Sequence, residues 1–335
     1  MRILVKGAGV AGLATAHELA KAGAHVTLIE RRPDIGGNAS WLAGGMLAPY
    51  CEQEGGGPEV VRLGRQAADW WEKTLPGIVT FNGTLVVAPP RDTTELRRFA
   101  ERTEAHCWAD GEEIARLEPD LAGRFRTGLF FAQEAHLDPR HALPLLHEKL
   151  TSMGVDMDFG QDSAREEPFE RIIDCTGFAA AQALADLRGV RGEMLHLETR
   201  EVNLSRTIRF IHPRFPVYIV PRGEGRFMVG ATMIESADQG PVSVRSMMEL
   251  LNAAYALHPA FGEARIIEMA AGVRPAFPSN LPAIRKKNGT IFVNGFHRHG
   301  FLMAPALACQ VVQTVLADHN SGRTCHEAYR EWTAA

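Results

Sequence analysis

The chain is poor in cysteine, carries no excess of positive charge and has no apolar run reaching the roughly twenty residues that span a bilayer. Each shortage removes a class of protein. The five cysteines, Cys51, Cys107, Cys175, Cys309 and Cys325, are odd in number, widely spread and free of any C-x-x-C pair. Reduced thiols are therefore expected, rather than a disulfide framework or a zinc site. Lysine and arginine total 36 against 40 aspartates and glutamates, a formal charge of −4. That leaves no basic surplus to attract nucleic acid or an anionic membrane, so neither is an expected partner. No charged segment followed by an apolar one precedes the first predicted strand, and a cytoplasmic location is expected. A Ser-His-Asp set and a nucleophilic-cysteine signature are also missing, which moves any chemistry toward a bound cofactor. What remains is an ordinary globular composition, 45% hydrophobic and 23% charged over 335 residues. That length suggests two domains, or one with a large insertion.

The first thirty residues organise the rest. Arg2 to Lys6 reads as a strand, Gly7, Gly9 and Gly12 form G-x-G-x-x-G, a helix opens near Val10, and His25 to Ile29 is a second strand closed by Glu30. Gly7 suits a tight turn, Gly9 admits backbone to a pyrophosphate, and Gly12 lets the helix pack on the strand. The helix N-terminus would face phosphate and Glu30 a ribose diol. Thirty-two glycines make chance matches easy. The strand before the motif, the helix it opens and the acid eighteen residues beyond Gly12 favour dinucleotide binding over an ordinary βαβ turn.

Farther along, the segment from Arg31 to Glu52 is too glycine-rich for a strand and too apolar for a solvated linker. Gly36-Gly37, Asn38, Ser40 and Gly44-Gly45 suit ligand contact, with a surface loop as the alternative. Pro58 to Leu75 reads as one helix, Thr84 to Ala88 as a strand and Thr93 to His106 as a helix. Asp138 and Pro139 start a helix that runs to about Met153, followed by strands Val155 to Phe159 and Glu170 to Cys175. Thr176 and Gly177 end the last of these where a doubly wound sheet meets its ligand, before a helix Phe178 to Ala185. From Arg191 to Glu268 successive strands joined by short turns imply an antiparallel sheet, interrupted by one helix, Ser243 to Leu257. Gly272 onward reads as a proline-punctuated loop, then a strand Thr290 to Val293 and a helix from Pro305 to about Ala317.

Three residues stand out for chemistry. Arg274 lies where few other charges compete, suited either to a bidentate grip on a carboxylate or to a structural salt bridge. Tyr218 sits on a predicted strand, its hydroxyl able to add a hydrogen bond, although a buried core tyrosine has the same pattern. Arg298 lies in His297-Arg298-His299-Gly300. The H-x-H spacing offers no third ligand and has basic neighbours, so no metal is expected.

The opening motif, with A-S-x-x-A-G-G-M-L-A-P-x-x-E from Ala39 to Glu52, resembles the FAD-dependent D-amino-acid oxidase superfamily, and most closely its bacterial glycine oxidase branch. DLRGVRGEM, YIVPR, GVRPAFPSNLPAI and NGFHRHGFLMAP extend the resemblance over nearly the whole chain. It implies an α/β fold. A discontinuous FAD/NAD(P)-binding Rossmann-like domain (1–80, 137–192 and 272–335) would carry an antiparallel-sheet α+β substrate domain (81–136 and 193–271). It implies noncovalent FAD, since Cys309 falls inside a predicted helix. The cofactor would be held by Gly7, Gly9, Val10, Ala11, Gly12, Glu30, Arg31, Arg32, Ala39, Ser40, Gly44, Gly45, Met46, Thr176, Gly177, His297, His299, Gly300, Phe301 and Leu302. Tyr218, Arg274 and Arg298 would bind substrate. The implied reaction is oxidation of glycine to its imine with O2 reduced to hydrogen peroxide, supplying thiamine thiazole synthesis, in a homo-oligomer. Sarcosine or small D-amino acids are alternative substrates, a quinone an alternative acceptor, and a nicotinamide dehydrogenase a remoter alternative. Ser279 and His297 depart from the resemblance, standing where many relatives have Asp and an aromatic residue, which exposes substrate preference most.

Overall fold

The computed structural model describes residues 1–162, 169–212 and 216–320. Cys325 lies outside the described residues. A six-stranded sheet runs in the order Ala283–Lys287, Thr290–Asn294, Arg171–Asp174, Arg2–Lys6, His25–Glu30, Asp156–Phe159. All neighbours are parallel except the first two. Its strands come from three separate stretches of chain.

The first helix, Val10–Lys21, starts one residue after Gly9, and Ser40 Oγ accepts from its leading Val10 N–H at 3.0 Å. A methyl group on Gly12 would lie 1.8 Å from the Gly7 carbonyl oxygen, so helix and strand meet only because both positions are glycine. Gly7 itself has φ +97°, open to glycine and strained for other residues. The last described helix, Gly300–Asn320, lies against the first: a Cβ on Gly300 would come within 3.1 Å of Val10. By length and composition its stretch 300–317 is apolar enough to cross a membrane, contrary to expectation. More than half of that stretch is buried in this fold, and packing in the core accounts for its composition.

A second sheet of nine strands runs Ile234–Glu235, Arg188–Glu198, Arg226–Gly230, Val217–Pro221, Thr207–Phe210, Thr84–Val87, Thr127–Phe131, Cys107–Asp110, with Arg265–Ala276 also paired to Arg188–Glu198. It is antiparallel apart from one parallel pair, Thr207–Phe210 with Thr84–Val87. Side chains alternate between its faces. Leu195, Leu197, Phe227, Val229, Val217, Ile219, Ile208 and Phe210 point to one side and pack with Leu250, Ala253, Ala254 and Leu257 of the helix Val244–Leu257. The opposite face is left for the ligand cavity.

Several local expectations need correction. The Pro58 to Leu75 segment breaks into helices Pro58–Gly64 and Ala67–Thr74, where Gly64 closes on Leu302. The helix at Thr93 stops at Glu101; Ala105 takes φ 59° and Cys107–Asp110 joins the sheet. Phe178 to Ala185 is a 3-10 turn, Gly177–Gln182. Gly272 to Ala276 is the end of a twelve-residue strand rather than a loop. Pro275 fits there because its pairing ends at the sheet edge, where a missing N–H costs little. Finally, the last helix begins at Gly300, five residues before Pro305. Proline cannot donate to the Phe301 carbonyl one turn back, and the Trp71 indole N–H takes that place at 2.9 Å.

Candidate active site

Register builds the floor of the site. Met194 stands opposite Gly230, Gly230 opposite Tyr218, and Tyr218 opposite Arg209, so four strands place these side chains on one rung of one face. Gly192 and Met194 oppose Gly272 and Ala270, and alternation puts Arg274 on the same face two residues on. Above this floor lie the turn after the first strand, the strand end at Thr176-Gly177 and the N-terminus of the last helix. They enclose a cavity of about 590 Å³, within the range of small-molecule sites.

At one end the walls are Gly7, Gly9, Val10, Ala11, Glu30, Arg31 and Arg32. The Glu30 carboxylate accepts from Ala8 N–H at 2.7 Å and Arg32 N–H at 3.0 Å, which fixes it at the mouth with acceptor capacity to spare. Thr176 is pinned by Asp174, and the Gly177 carbonyl accepts from Asn294 Nδ2 at 2.8 Å. Ala39, Ser40, Gly44, Met46, Gly300 and Phe301 complete the middle. Arg222, the final residue of YIVPR, donates to the Gly44 carbonyl at 2.7 Å and so holds that loop against the sheet.

At the other end the charged side chains on the wall are arginines: Arg209, Arg274 and Arg298. Arg274 donates to the Thr232 carbonyl at 3.0 Å, and among the described residues no carboxylate lies within 4.0 Å of it. Burial lowers its pKa to about 10, which still leaves it charged at neutral pH. Its guanidinium lies flat on Gly192, where a Cβ would sit 2.2 Å from Nη2.

Arg298 is engaged differently. Its Nε and Nη2 donate to the two oxygens of Glu52, at 2.5 and 2.8 Å, and the Tyr218 hydroxyl donates to the same carboxylate. Glu52 is 3% exposed. Burial is the largest single influence and raises its pKa, but the Arg298 charge, the Arg298 hydrogen bonds and the neighbouring His299 and Arg209 together outweigh it and hold the carboxyl well below the ordinary range. His299 Nδ1 lies 3.3 Å from Glu52 without a hydrogen bond, and burial pushes its pKa down to about 4. At neutral pH it is an uncharged ring, so Arg298 supplies the counter-charge.

This arrangement revises the reading of Tyr218. A hydroxyl has one proton, and here Glu52 receives it, so toward the cavity the oxygen offers only lone pairs. It cannot also donate to a substrate carboxylate. Glu52 itself escaped the sequence reading of the site, although it closes the A-P-x-x-E motif. Arg209, Met194, Met228 and Gly192 were missed because they reach the wall through strand register. Four residues expected on the wall stand behind it. Gly12 packs on the first strand, Gly45 faces Leu137, His299 faces Glu52, and Leu302 packs on Gly64.

Comparison with known proteins decides the family. Residues 2–314 match the FAD dependent oxidoreductase (DAO) family. The chain belongs to that family. Within it, the chain is 58% identical to a thiamine biosynthesis oxidoreductase ThiO of Rhizobium etli, itself provisionally assigned, over 95% of this chain and 97% of that one. It is 27% identical to the glycine oxidase of Pseudomonas aeruginosa, covering 96% and 95% of the two chains. The fold is that of glycine oxidase from Geobacillus kaustophilus, with a TM-score of 0.79, 22% identity and 95% of each chain covered. An FAD-dependent oxidoreductase needs a phosphate cradle, and the walls fit one. A Cβ on Gly9 would meet nothing nearer than Ser40 Oγ at 3.3 Å, and the positive ends of two helices open on the cavity.

Proposed function

We propose that the chain is a glycine oxidase of thiamine biosynthesis that holds FAD noncovalently. Arg274 carries this reading: a charged guanidinium on the cavity wall, flat on Gly192, with no carboxylate within 4.0 Å among the described residues. A small carboxylate is the ligand such a group accepts in two parallel hydrogen bonds. Bound FAD would take two electrons and the α-hydrogen from glycine, leaving the imine that water converts to glyoxylate and ammonia, and would pass the electrons to O2 to give hydrogen peroxide. The protein's share is orientation. Arg274 fixes the carboxylate, and the Tyr218 oxygen, whose O–H donates to Glu52, accepts from the amine. Arg298 and Glu52 brace that side of the pocket as a buried pair. His297 is an unsuitable base, its pKa driven down to about 3 by burial and neighbouring cations. The amine would therefore bind neutral, having lost its proton to water.

Noncovalent attachment is supported by the cysteines. Cys175 borders the cavity, but its thiol donates to Thr15 Oγ1 at 4.0 Å and burial raises its pKa, keeping it protonated, while Cys309 is exposed on the last helix. A cytoplasmic homo-oligomer completes the proposal, with a second copy meeting the sheet edge at Arg265–Ala276, where Ile266, Ile267 and Met269 are exposed. The deciding experiment is anaerobic bleaching of the flavin with glycine, sarcosine and D-alanine in parallel. Glycine is expected to bleach it; bleaching by D-alanine alone would overturn the glycine assignment.

A further inference from the structure

Arg209 is the third arginine on the wall, and the proposed oxidation of glycine does not use it. It is 7% exposed, lies on the strand Thr207–Phe210, and stacks its guanidinium 4.4 Å above the Tyr218 ring. Its Nε is buried with no hydrogen-bond partner, and among the described residues no carboxylate lies within 4.0 Å of it. It also lines a second cavity of about 370 Å³, which shares Arg209, Pro216, Met233, His297 and Arg298 with the wall of the first. The acids of that neighbour are committed elsewhere: Glu54 to Arg102 at 3.0 Å and Glu95 to Arg98 at 2.6 Å.

Counting charge shows what is missing. Among the described residues the substrate end holds three guanidiniums and one carboxylate, Glu52, which Arg298 engages with two hydrogen bonds. His297 and His299 are neutral at pH 7, and the nearby Glu134, buried against Cys51, has its pKa raised to about 7. One substrate carboxylate on Arg274 leaves the Arg209 charge short of a partner, and a buried cation without one is costly.

We propose that Arg209 is a second anion anchor, so that the site also takes small amino acids bearing two acidic groups, one held by Arg274 and the other by Arg209. This rests on the assignment of Arg274 as the first carboxylate grip. The test uses holoenzyme and two ligands that lack an oxidisable amine. Diglycolate carries two carboxylates on an ether oxygen; methoxyacetate carries one. Titrating each by calorimetry and by perturbation of the flavin spectrum should show diglycolate binding about tenfold tighter or more, the scale of one charge-assisted hydrogen bond. Arg209→Met should close the gap to about threefold or less, and Arg209→Lys, which keeps the charge, should retain most of it. Equal affinities in the unmodified protein would overturn the anchor. So would an Arg209→Met variant that weakens both ligands by one factor, which would mark Arg209 as a prop for Tyr218. Should the methionine variant not fold, the lysine variant decides by itself, since a gap that vanishes with charge retained also overturns the proposal. Glycine bleaching tests the oxidase reading separately. Diglycolate preference without glycine bleaching would remove that reading and leave the anchor standing.

Discussion

At the scale of single residues the site is governed by which charges have partners. Arg274 has no charged partner among the described residues, and replacing it by leucine should raise the KM for glycine by about 10- to 100-fold, from the worth of hydrogen bonds between charged groups. Gly192→Ala should produce a smaller rise without removing any charge, because its methyl would occupy the place of the guanidinium. Steady-state kinetics beside thermal melts separate this from unfolding, since a flexible side-chain end can move aside at little cost in stability. Glu52 presents the opposite case, a carboxylate with partners on every side. Its folded pKa is depressed, so its stabilisation is complete above the unfolded value near 4.5 and is lost as pH falls below it. Glu52→Gln should therefore cost about 3 kcal/mol at pH 7, the scale of breaking a buried pair. The difference from the parent should shrink as melts are taken from pH 5 toward pH 3.

At the scale of elements the closest tolerances lie where helices meet strands. Gly12→Ala should yield protein that fails to retain FAD, because the obstructing atom, the Gly7 carbonyl oxygen 1.8 Å from the new methyl, is backbone and cannot swing away. The flavin-to-protein absorbance ratio after purification measures this directly. Trp71→Phe tests the start of the last helix. The Phe301 carbonyl would lose its donor while Pro305 still supplies none, at a cost of about 1–3 kcal/mol in urea unfolding. The motifs for the first helix and for Asp138-Pro139 were legible because their signals are local. The Asp138 side chain accepts from Arg140 N–H at 2.9 Å, as a capping residue should. The strand Arg265–Ala276 reads in sequence as a loop from Gly272 onward because two prolines and a glycine imitate turn chemistry, and only pairing with Arg188–Glu198 reveals the ladder.

At the scale of the whole molecule the cavity lies between two sheets of different construction, one mostly parallel and one mostly antiparallel. Acid precipitation should release all the flavin into the supernatant, and absorbance left on the pellet would count against noncovalent binding. Light scattering of the holoenzyme should give a mass above the 36.7 kDa of one chain. Met269→Glu at the exposed edge should lower it, because the new charge would oppose burial.

The sequence alone determined the cofactor cradle, since G-x-G-x-x-G, a helix and an acid all act within thirty residues. It also made Arg274 a candidate grip, and the A-P-x-x-E motif carried Glu52 without saying what that carboxylate holds. Tertiary structure decided the rest: that Glu52 claims the Tyr218 proton and both reaching nitrogens of Arg298, and that Arg209 shares their wall. These residues lie up to 246 positions apart, and no local pattern encodes their meeting. It follows from strand register, which a shift of one residue would turn to the opposite face.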